Sequence, residues 1–325
     1  MRVSFDSRPA SDPRGIGRYS RCLLEALRET TPEGDELTET HRPRRADVYH
    51  SPWIDGALLR SPCPMVVTLH DVVPLKRRSE YLRTGARMRM RYLAVQRAVR
   101  IIVPTQTVAE DAVERLDLRR DRVVVIAEAA ARSMYPRSAE EVADVRERYS
   151  LPEHYLVWVG GLEHPDPRKH VTQLAAAPRE LPLVLVGATR PWAHELPGVQ
   201  LTGRVPDDDL AAIYTAAHAL VFPSDDEGFG LPTVEALACG TPVVACEVPA
   251  LREVLGDRAT LVPCGDMETL MAAAHRAHRP APAPPPWSWT DAAHATWDVY
   301  ASAMHQRGDA RSWNRRARRR LPREA

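Results

Sequence analysis

The sequence predicts an α/β protein built from two parallel-sheet domains, and three observations support this. The chain has 325 residues, and at roughly 100–200 residues per domain two domains are the natural expectation. Short apolar runs alternate with helical patterns in both halves, which is typical of βαβ units. Hydrophobic residues make up 44% of the chain and charged residues 27%, the balance of a globular protein rather than a disordered one.

The first half contains four short apolar segments that we expect to be strands, with helices between them. A polar loop through Gly15-Ile16-Gly17 is expected to lead into the first helix. The predicted strands cover residues 3–6, 64–69, 101–103 and 122–126, and the predicted helices cover residues 19–29, 81–100 and 108–116. Strands that are separated by helices in this way predict a parallel sheet.

The second half repeats the pattern more clearly, because three of its strands end at glycine or at a Pro-Ser pair. The predicted strands cover residues 155–159, 183–186, 219–222 and 242–245, and a helix covers 231–239. A proline-rich connector then precedes a last helix. We place the domains at residues 1–145 and 146–283, the last helix at 284–308 and a basic, disordered tail at 309–325. Two such sheets facing each other would form a cleft at their strand carboxyl ends, where ligands bind.

The composition excludes several classes of protein. No apolar run approaches the roughly 18–20 residues that span a bilayer, and the first residues lack the apolar segment of a secretory signal. The five cysteines form no Cys-x-x-Cys pair, which argues against a zinc site or a disulfide framework and for a reducing compartment. The net charge of +1 gives no general attraction to nucleic acid. We therefore expect a cytoplasmic protein that does not bind nucleic acid.

The most informative segment, residues 222–245, is predicted to form a strand, a glycine loop, a helix and a second strand. Pro232 suits the first helical turn, where a missing N–H costs nothing, and Gly240 suits the position just after the helix. The loop Gly228-Phe229-Gly230 would let backbone N–H groups approach a ligand closely. Because a helix N-terminus carries about half a positive charge, this segment predicts a phosphate site.

Two carboxylates frame this loop, Glu227 at the strand end and Glu235 about one turn into the helix. Glu235 has two oxygens that can accept hydrogen bonds from a vicinal diol such as a ribose, and Glu227 would lie beside whatever is attached to the phosphate. The alternatives are a helix-capping role for Glu227 and a solvated position for Glu235. Because the two are separated across a turn, we expect them to bind different parts of one ligand.

The Glu-x7-Glu pair within EGFGLPTVEALACGTPVV resembles the signature of glycosyltransferase family 4, whose members are retaining enzymes of the GT-B fold. Further segments resemble family motifs in the same order, so that the resemblance covers nearly the whole chain. They are the glycine loop at 15–19, the histidine strand end at 67–74, the basic segment at 159–169, the loop at 201–210 and the helix start at 287–290. The resemblance implies two Rossmann-like domains facing a cleft and a C-terminal helix that returns to the first domain.

The resemblance also implies a nucleotide-sugar donor in the second domain and the acceptor in the first. Arg168 and Lys169 would clamp the diphosphate and stabilise the charge on the leaving group, and Lys169 is one of only two lysines in the chain. Glu235 would hold the ribose, Glu227 the sugar, and His70 would lie near the reacting sugar. The other implied donor-site residues are Gly15, Gly17, Gly161, Arg204, Val205, Gly228, Phe229, Gly230 and Leu231. A structural histidine and a plain turn are the alternatives for His70 and for the first two glycines.

The implied reaction moves a hexose, with mannose favoured, from a GDP-, UDP- or ADP-sugar with retention at the anomeric carbon. It needs no metal or other cofactor and is expected to proceed by front-side attack. The favoured acceptor is a glycan or lipid-linked sugar in cell-surface polysaccharide or glycoconjugate synthesis, and a small natural product is the alternative. Asp207-Asp208-Asp209 offers a metal-binding pattern, but it precedes a helix, where first-turn acids are favoured. A silent nucleotide-binding protein and a nucleotide-sugar epimerase are the competing functions.

A basic segment lies in the first half, at residues 76–100. Arg83, Arg87 and Arg91 line one face of its predicted helix and apolar residues line another, which suits a helix on an anionic membrane surface. This would place the protein peripherally on the inner face of the membrane, and a solvated arginine face is the alternative. Two departures from the family pattern also matter. Residues 30–46 are short and polar, which predicts a reduced first sheet, and residues 127–130 lack a glycine turn, which predicts a stiffer hinge.

Overall fold

The computed structural model describes the backbone of residues 1–77 and 85–318 and the side chains of residues 1–77 and 87–305. Two parallel sheets of six strands each form the centres of two domains, which confirms the predicted fold class. The first sheet has the order β2-β1-β3-β4-β5-β6. Its strands are β1 (Arg2–Phe5), β2 (Glu36–Glu39), β3 (Val48–Ser51), β4 (Met65–Thr68), β5 (Arg100–Val103) and β6 (Val123–Val125).

The second sheet has the order β12-β11-β10-β7-β8-β9. Its strands are β7 (Leu156–Val159), β8 (Leu183–Val186), β9 (Val199–Gly203), β10 (Ala219–Phe222), β11 (Val243–Cys246) and β12 (Thr260–Val262). This is the strand order of dinucleotide-binding sheets, in which ligands bind where the order reverses. The reversal lies between β7 and β10, so the loops that follow these two strands flank the expected ligand position.

Helices connect the strands in both domains. In the first domain they are α1 (Gly15–Glu29), α2 (Val73–Lys76), α3 (Gly85–Val95) and α4 (Gln106–Leu116). In the second they are α5 (Ala139–Arg148), α6 (Val171–Ala176), α7 (Asp207–Ala216), α8 (Leu231–Ala238), α9 (Pro249–Leu255) and α10 (Met267–His275). Because α5 packs against α7, the boundary that we predict at residue 145 falls within a helix of the second domain. Among the described residues, no helix combines the length and apolarity needed to cross a bilayer.

The last helix, α11 (Trp289–Arg318), crosses back to the first domain, as the resemblance implies. It packs on α1, β3 and β4. The hydroxyl of Tyr300 lies 2.6 Å from Nδ1 of the buried His50, and Arg100 donates to the Ser302 hydroxyl. The helix continues to Arg318, into the basic segment at residues 309–325, where alanine and arginine favour helix. The rest of the predicted tail, residues 319–325, lies outside the described residues.

β2 forms within the polar segment at residues 30–46, where no strand was predicted. β2 pairs with β1 through backbone hydrogen bonds, with Arg2 opposite Glu36, and its side chains are exposed or half-buried. An edge strand of this kind needs no apolar run, and charged side chains protect its free edge. β3 escaped prediction for the opposite reason. All four of its residues are buried, but His50 and Ser51 interrupt the apolar pattern.

Candidate active site

A cavity of about 1450 Å³ lies between the two domains and is lined by loops at the carboxyl edges of both sheets. It collects residues that are far apart in the sequence, from Ala10 in the first domain to Glu235 in the second. All but one of the residues predicted for the site line it. They are Gly15, His70, Gly161, Arg168, Lys169, Arg204, Val205, Glu227, Gly228, Phe229, Gly230, Leu231 and Glu235.

Gly17 is the exception. It lies in the first turn of α1, which begins at Gly15 rather than after the expected loop. A Cβ at Gly17 would lie 1.8 Å from the carbonyl oxygen of Asp12, so this glycine allows close packing of the preceding loop. Its role in ligand binding stays a prediction. Gly15 differs, because it is exposed and faces Leu231 of the other domain across the cleft.

The glycine loop between β10 and α8 is held against the first domain. A Cβ at Gly228 would lie 1.9 Å from the His70 carbonyl oxygen, so only glycine allows the two backbones to approach this closely. The Thr105 hydroxyl donates to the Gly228 carbonyl at 3.0 Å. Gly230 has a φ of +85°, a left-handed conformation that favours glycine, at the start of α8. The loop is therefore shaped by its own backbone and by the opposite domain.

Arg168 lines this cleft from the turn before α6. Its Nε donates to Asp166 at 2.9 Å, and its Nη1 donates to the Asp226 carbonyl at 3.1 Å and lies 3.6 Å from Glu227. Burial alone would lower the pKa of this guanidinium, but Glu227, Asp71 and Asp166 outweigh it and raise the pKa. Arg168 is therefore a fixed cation that also orients Glu227.

Lys169 has a different environment from its neighbour. Its Nζ lies 5.8 Å from the centre of the Trp158 ring, and no carboxylate in the described part of the chain lies within ion-pair distance of it. Burial lowers the pKa of Lys169, and Glu227 offsets this only in part. A half-buried ammonium group without an anionic partner would gain free energy from a phosphate beside it.

Glu235 is buried within α8, so the solvated alternative is wrong. Its side chain is 3% exposed, and its Oε1 lies 3.0 Å from Nε of Arg18 in the first domain. That contact is not aligned as a hydrogen bond, which leaves Oε1 without a hydrogen-bond donor among the described residues. Burial raises the pKa of Glu235 to about 7, and Arg18 opposes this shift. A carboxylate in this state can accept hydroxyl donors from a ligand.

His70 faces the cleft from the carboxyl end of β4 and has acceptors on both ring nitrogens. Nδ1 lies 3.1 Å from Glu128 Oε1, and Nε2 lies 2.9 Å from the Pro52 carbonyl oxygen. Burial alone would lower the pKa of His70, but the hydrogen bond and charge of Glu128 and the contact with Pro52 outweigh it, and the pKa is raised. Oxygens beside both ring nitrogens, together with the raised pKa, favour the imidazolium form of His70, in which both nitrogens donate.

The three aspartates Asp207, Asp208 and Asp209 occupy the first turn of α7, as the helical pattern predicts. Each is paired with an arginine. Asp207 accepts from Arg18, Asp208 from Arg137 at 2.7 Å and Asp209 from Arg148 at 2.7 Å. The three acids are therefore explained by their position in the first turn of a helix, where negative charge is favoured, and by their arginine partners.

Two charged contacts on the other side of the cleft also join the domains. Lys76 at the end of α2 lies 2.7 Å from Asp111 in its own domain and 3.0 Å from Asp226 in the glycine-loop segment. Glu253 of α9 accepts from the backbone N–H groups of Gln106 and Thr107 and so caps α4 of the first domain. Lys76 and Lys169, the only lysines, both lie beside the Asp225-Asp226-Glu227 segment.

Sequence reasoning missed Arg18, Glu128, Asp207 and Asp71, which also line the cavity. Each of them acts on a residue that is distant in the chain, so the contact itself leaves no local pattern. The signals that could have identified them are weak. Arg18 lies inside the glycine motif at 15–19, and Glu128 replaces the glycine turn expected at 127–130, where it pairs with His70 instead.

The basic helix α3 packs its apolar face into the first domain. Tyr92 and Val95 are buried there, and Met88 packs against the same core, so this face is not available to a membrane. Arg87 is exposed, whereas Arg91 is paired with Asp55. Arg83 lies outside the described residues.

Two parallel sheets that face one cleft, with a last helix returning to the first domain, define the GT-B architecture. Solved structures share this fold at low sequence identity. Sucrose-phosphate synthase from Thermosynechococcus elongatus aligns with a TM-score of 0.66 and 21% identity over 98% of this chain and 100% of that one. HepE from Anabaena, in complex with UDP and glucose, aligns with a TM-score of 0.67 and 17% identity over 96% and 99% of the two chains.

Two family models match the chain. The model described as Glycosyltransferase Family 4 matches residues 4–129, and the model described as Glycosyl transferases group 1 matches residues 153–279. Together they cover most of both domains. The chain therefore belongs to glycosyltransferase family 4.

Curated relatives agree with this assignment. The serotype-specific mannosyltransferase WbdA of Escherichia coli is 33% identical over 220 residues, which cover 60% of this chain and 27% of WbdA. The chain thus spans only about a quarter of that relative. O-antigen chain mannosyltransferase B of Escherichia coli is 29% identical over 78% of this chain and 71% of the relative. D-inositol 3-phosphate glycosyltransferase of Streptomyces bingchenggensis is 29% identical over 81% and 68%.

Proposed function

We propose that the protein is a retaining hexosyltransferase that uses a nucleotide-diphosphate sugar and acts on a glycan or lipid-linked acceptor. The observation that carries the proposal is the cavity itself. It combines a cationic pair, Arg168 and Lys169, with a buried carboxylate, Glu235, whose Oε1 lacks a hydrogen-bond donor among the described residues. A diphosphate and a ribose diol are the chemical groups that would satisfy both. The UDP and glucose in the HepE structure support a nucleotide-sugar donor.

In this proposal each part of the donor has its own partner. The ribose hydroxyls donate to Glu235, the diphosphate lies on Lys169 and Arg168, and the hexose lies between Glu227 and His70. When the bond between the anomeric carbon and the phosphate oxygen breaks, negative charge grows on the leaving diphosphate. Lys169 stabilises that charge, because it is a nearby cation that no carboxylate of the described residues pairs with.

The acceptor oxygen then bonds to the anomeric carbon on the face that the leaving group occupied, and its proton passes to the departing phosphate oxygen. In this proposal His70 is in its imidazolium form and does not take the proton of the acceptor, so its role is to position the sugar and stabilise negative charge. The relatives named as O-antigen mannosyltransferases support mannose as the hexose and a cell-surface glycan as the product.

The test is release of nucleoside diphosphate from a panel of GDP-mannose, UDP-glucose and ADP-glucose, with lipid-linked and glycan acceptors. We expect turnover with one donor and an acceptor, with an α-linked donor giving an α-linked product. Glu235→Ala should abolish it, whereas Glu268→Ala, an exposed acid in the first turn of α10, should not. Sugar isomerisation without an acceptor would instead indicate an epimerase, and nucleotide binding without turnover on any acceptor a silent protein.

A membrane surface is a second proposed partner. The observation that favours it is the outer side of α3, where Arg87 is exposed and the apolar Met90 and Leu93 are each 49% exposed. Arginine beside exposed apolar side chains on a helix is typical of a contact with anionic lipid. Sedimentation with vesicles of phosphatidylglycerol should carry the wild type down, and Met90→Ser with Leu93→Ser should reduce this. Equal sedimentation of both proteins would contradict the proposal.

A further inference from the structure

One first-domain residue reaches into the part of the cavity that is proposed to hold the nucleoside. Arg18 projects from α1, and its side chain is only 13% exposed. Its two terminal nitrogens donate to the two carboxylate oxygens of Asp207, at 2.8 and 3.1 Å. Its Nε lies 3.0 Å from Oε1 of Glu235. A single guanidinium from one domain thus joins two carboxylates of the other.

The geometry gives the two contacts different roles. A paired contact of guanidinium with carboxylate fixes the plane of the arginine, because both hydrogen bonds must be satisfied together. Asp207 therefore acts as an anchor and leaves Nε directed at Glu235. Because Nε is not aligned as a donor to Oε1, the charge reaches Glu235 while its oxygens remain free to accept hydrogen bonds from hydroxyl groups.

The charge matters because Glu235 is buried among other acids. The titratable and charged groups that face it are Arg18, Arg21 and Cys22 of α1, Asp207 and Tyr214 of α7, Glu128 after β6, and Cys239 after α8. Burial raises the pKa of Glu235 to about 7, Asp207 and Glu128 raise it as well, and Arg18 is the strongest opposing influence. Without Arg18, this carboxyl group would hold its proton to higher pH.

We propose that Arg18 completes the nucleoside subsite from the opposite domain, by keeping Glu235 ionised and oriented for the ribose diol. The proposal rests on the nucleotide-sugar function proposed above. Arg18 is a positioning residue in it, since it acts on the ligand through Glu235.

The test is calorimetric titration of UDP, GDP and ADP into wild-type protein and variants at pH 6, 7, 8 and 9. For the nucleotide that binds the wild type, we expect Arg18→Gln to weaken binding about 10- to 100-fold at pH 7. This gap should narrow toward pH 9, where Glu235 ionises without help. Arg18→Lys keeps the positive charge and should recover part of the affinity at pH 7. Arg28→Gln removes an exposed arginine from the same helix and should match the wild type.

Each contrary result is distinct. Unchanged affinity in Arg18→Gln, tighter binding, or a deficit that is constant from pH 6 to pH 9 would overturn the role of Arg18 and leave the proposed function standing. If Arg18→Gln does not fold, equal affinity of Arg18→Lys and wild type at all four pH values would overturn it as well. Failure of the wild type to bind any of the three nucleotides would overturn the proposed function and this inference with it. The nucleotide also changes its own protonation with pH. This change is the same for all the proteins, so it cancels when their affinities are compared at one pH.

Discussion

The carboxyl edges of the two sheets face the same cleft but differ in how their charges are satisfied. On the first-domain edge, His70 is paired with Glu128, and Asp6 accepts hydrogen bonds from Arg8 and Trp53. On the second-domain edge, Lys169 has no carboxylate partner among the described residues, and Glu235 Oε1 lacks an aligned donor. Since buried polar groups are normally satisfied, this difference supports the proposal that the second-domain edge receives the ligand. The charged groups named on the first-domain edge are already paired within that domain.

Replacement of Lys169 should have the largest effect on activity, and it tests the difference between the two edges. Lys169→Ala removes a cation that has no carboxylate within ion-pair distance among the described residues, so we expect kcat/KM to fall about 10²- to 10³-fold, as when one charge-stabilising donor is removed from an active site. Lys76→Ala is the matched comparison, because that lysine already has two aspartate partners. It should cost about fivefold or less, the range of a partly exposed ion pair. Equal losses in the two variants, by steady-state kinetics, would break the distinction.

A Cβ at Gly228 tests whether the two edges must close on each other. Gly228→Ala would bring the added atom to 1.9 Å from the His70 carbonyl oxygen, which forces the loop and the first domain apart. We expect kcat to fall about 100-fold, because displacement of reacting groups by about 1 Å has effects of this size. Gly34→Ala is a control with a positive φ of 81° and open space around it. Full activity of Gly228→Ala in the transfer assay would show that closure at this contact is dispensable.

The pairing of His70 with Glu128 makes a prediction about stability and pH. Because the pKa of His70 is raised above its ordinary value of 6.5, its contribution is fully present below pH 6.5 and is lost as pH rises through the raised pKa. Glu128→Gln removes the charged acceptor, so it should destabilise by about 1.5–3 kcal/mol at pH 6 and by less at pH 9. Urea unfolding across this range measures the difference. A difference independent of pH would mean that the imidazolium pair is not what stabilises this edge.

The smallest expected effect concerns the Glu253 contact between the domains. Glu253→Gln weakens the cap on α4, which is worth about 0.5–2 kcal/mol, and should raise the donor KM by no more than a few-fold. The difference in donor KM between the variant and the wild type should become smaller at high salt, because salt screens the exposed charge of Glu253 in the wild type. A kinetic series from low to high salt checks this. A variant with a large fall in kcat and an unchanged KM would place Glu253 nearer to the chemistry than the structure does.

The two domains also differ in how much of the candidate site could be predicted from the sequence. The second-domain site was predictable because Glu227, the glycine loop and Glu235 lie in one strand-turn-helix unit, where local spacing determines position. The first-domain contribution was not, because Arg18 and Glu128 act on residues that are 217 and 58 positions away and are brought there by tertiary packing alone. Strand β2 was missed because an edge strand is held by its backbone. The close packing of Gly17 could not be foreseen, because its neighbour is a backbone carbonyl.

Binding of a nucleotide at the second-domain edge is tested most directly by thermal stabilisation. UDP, GDP and ADP are each added to the wild type, Glu235→Ala and Lys169→Ala. A nucleotide that binds only the folded protein, added at about 100 Kd, stabilises it by about 2.7 kcal/mol. We predict a shift with one nucleotide in the wild type, and its loss in both variants, since the unpartnered groups of the second-domain edge are the ones the ligand satisfies. No shift of the wild type with any nucleotide would contradict this prediction. A shift in both variants as large as that of the wild type would contradict it as well.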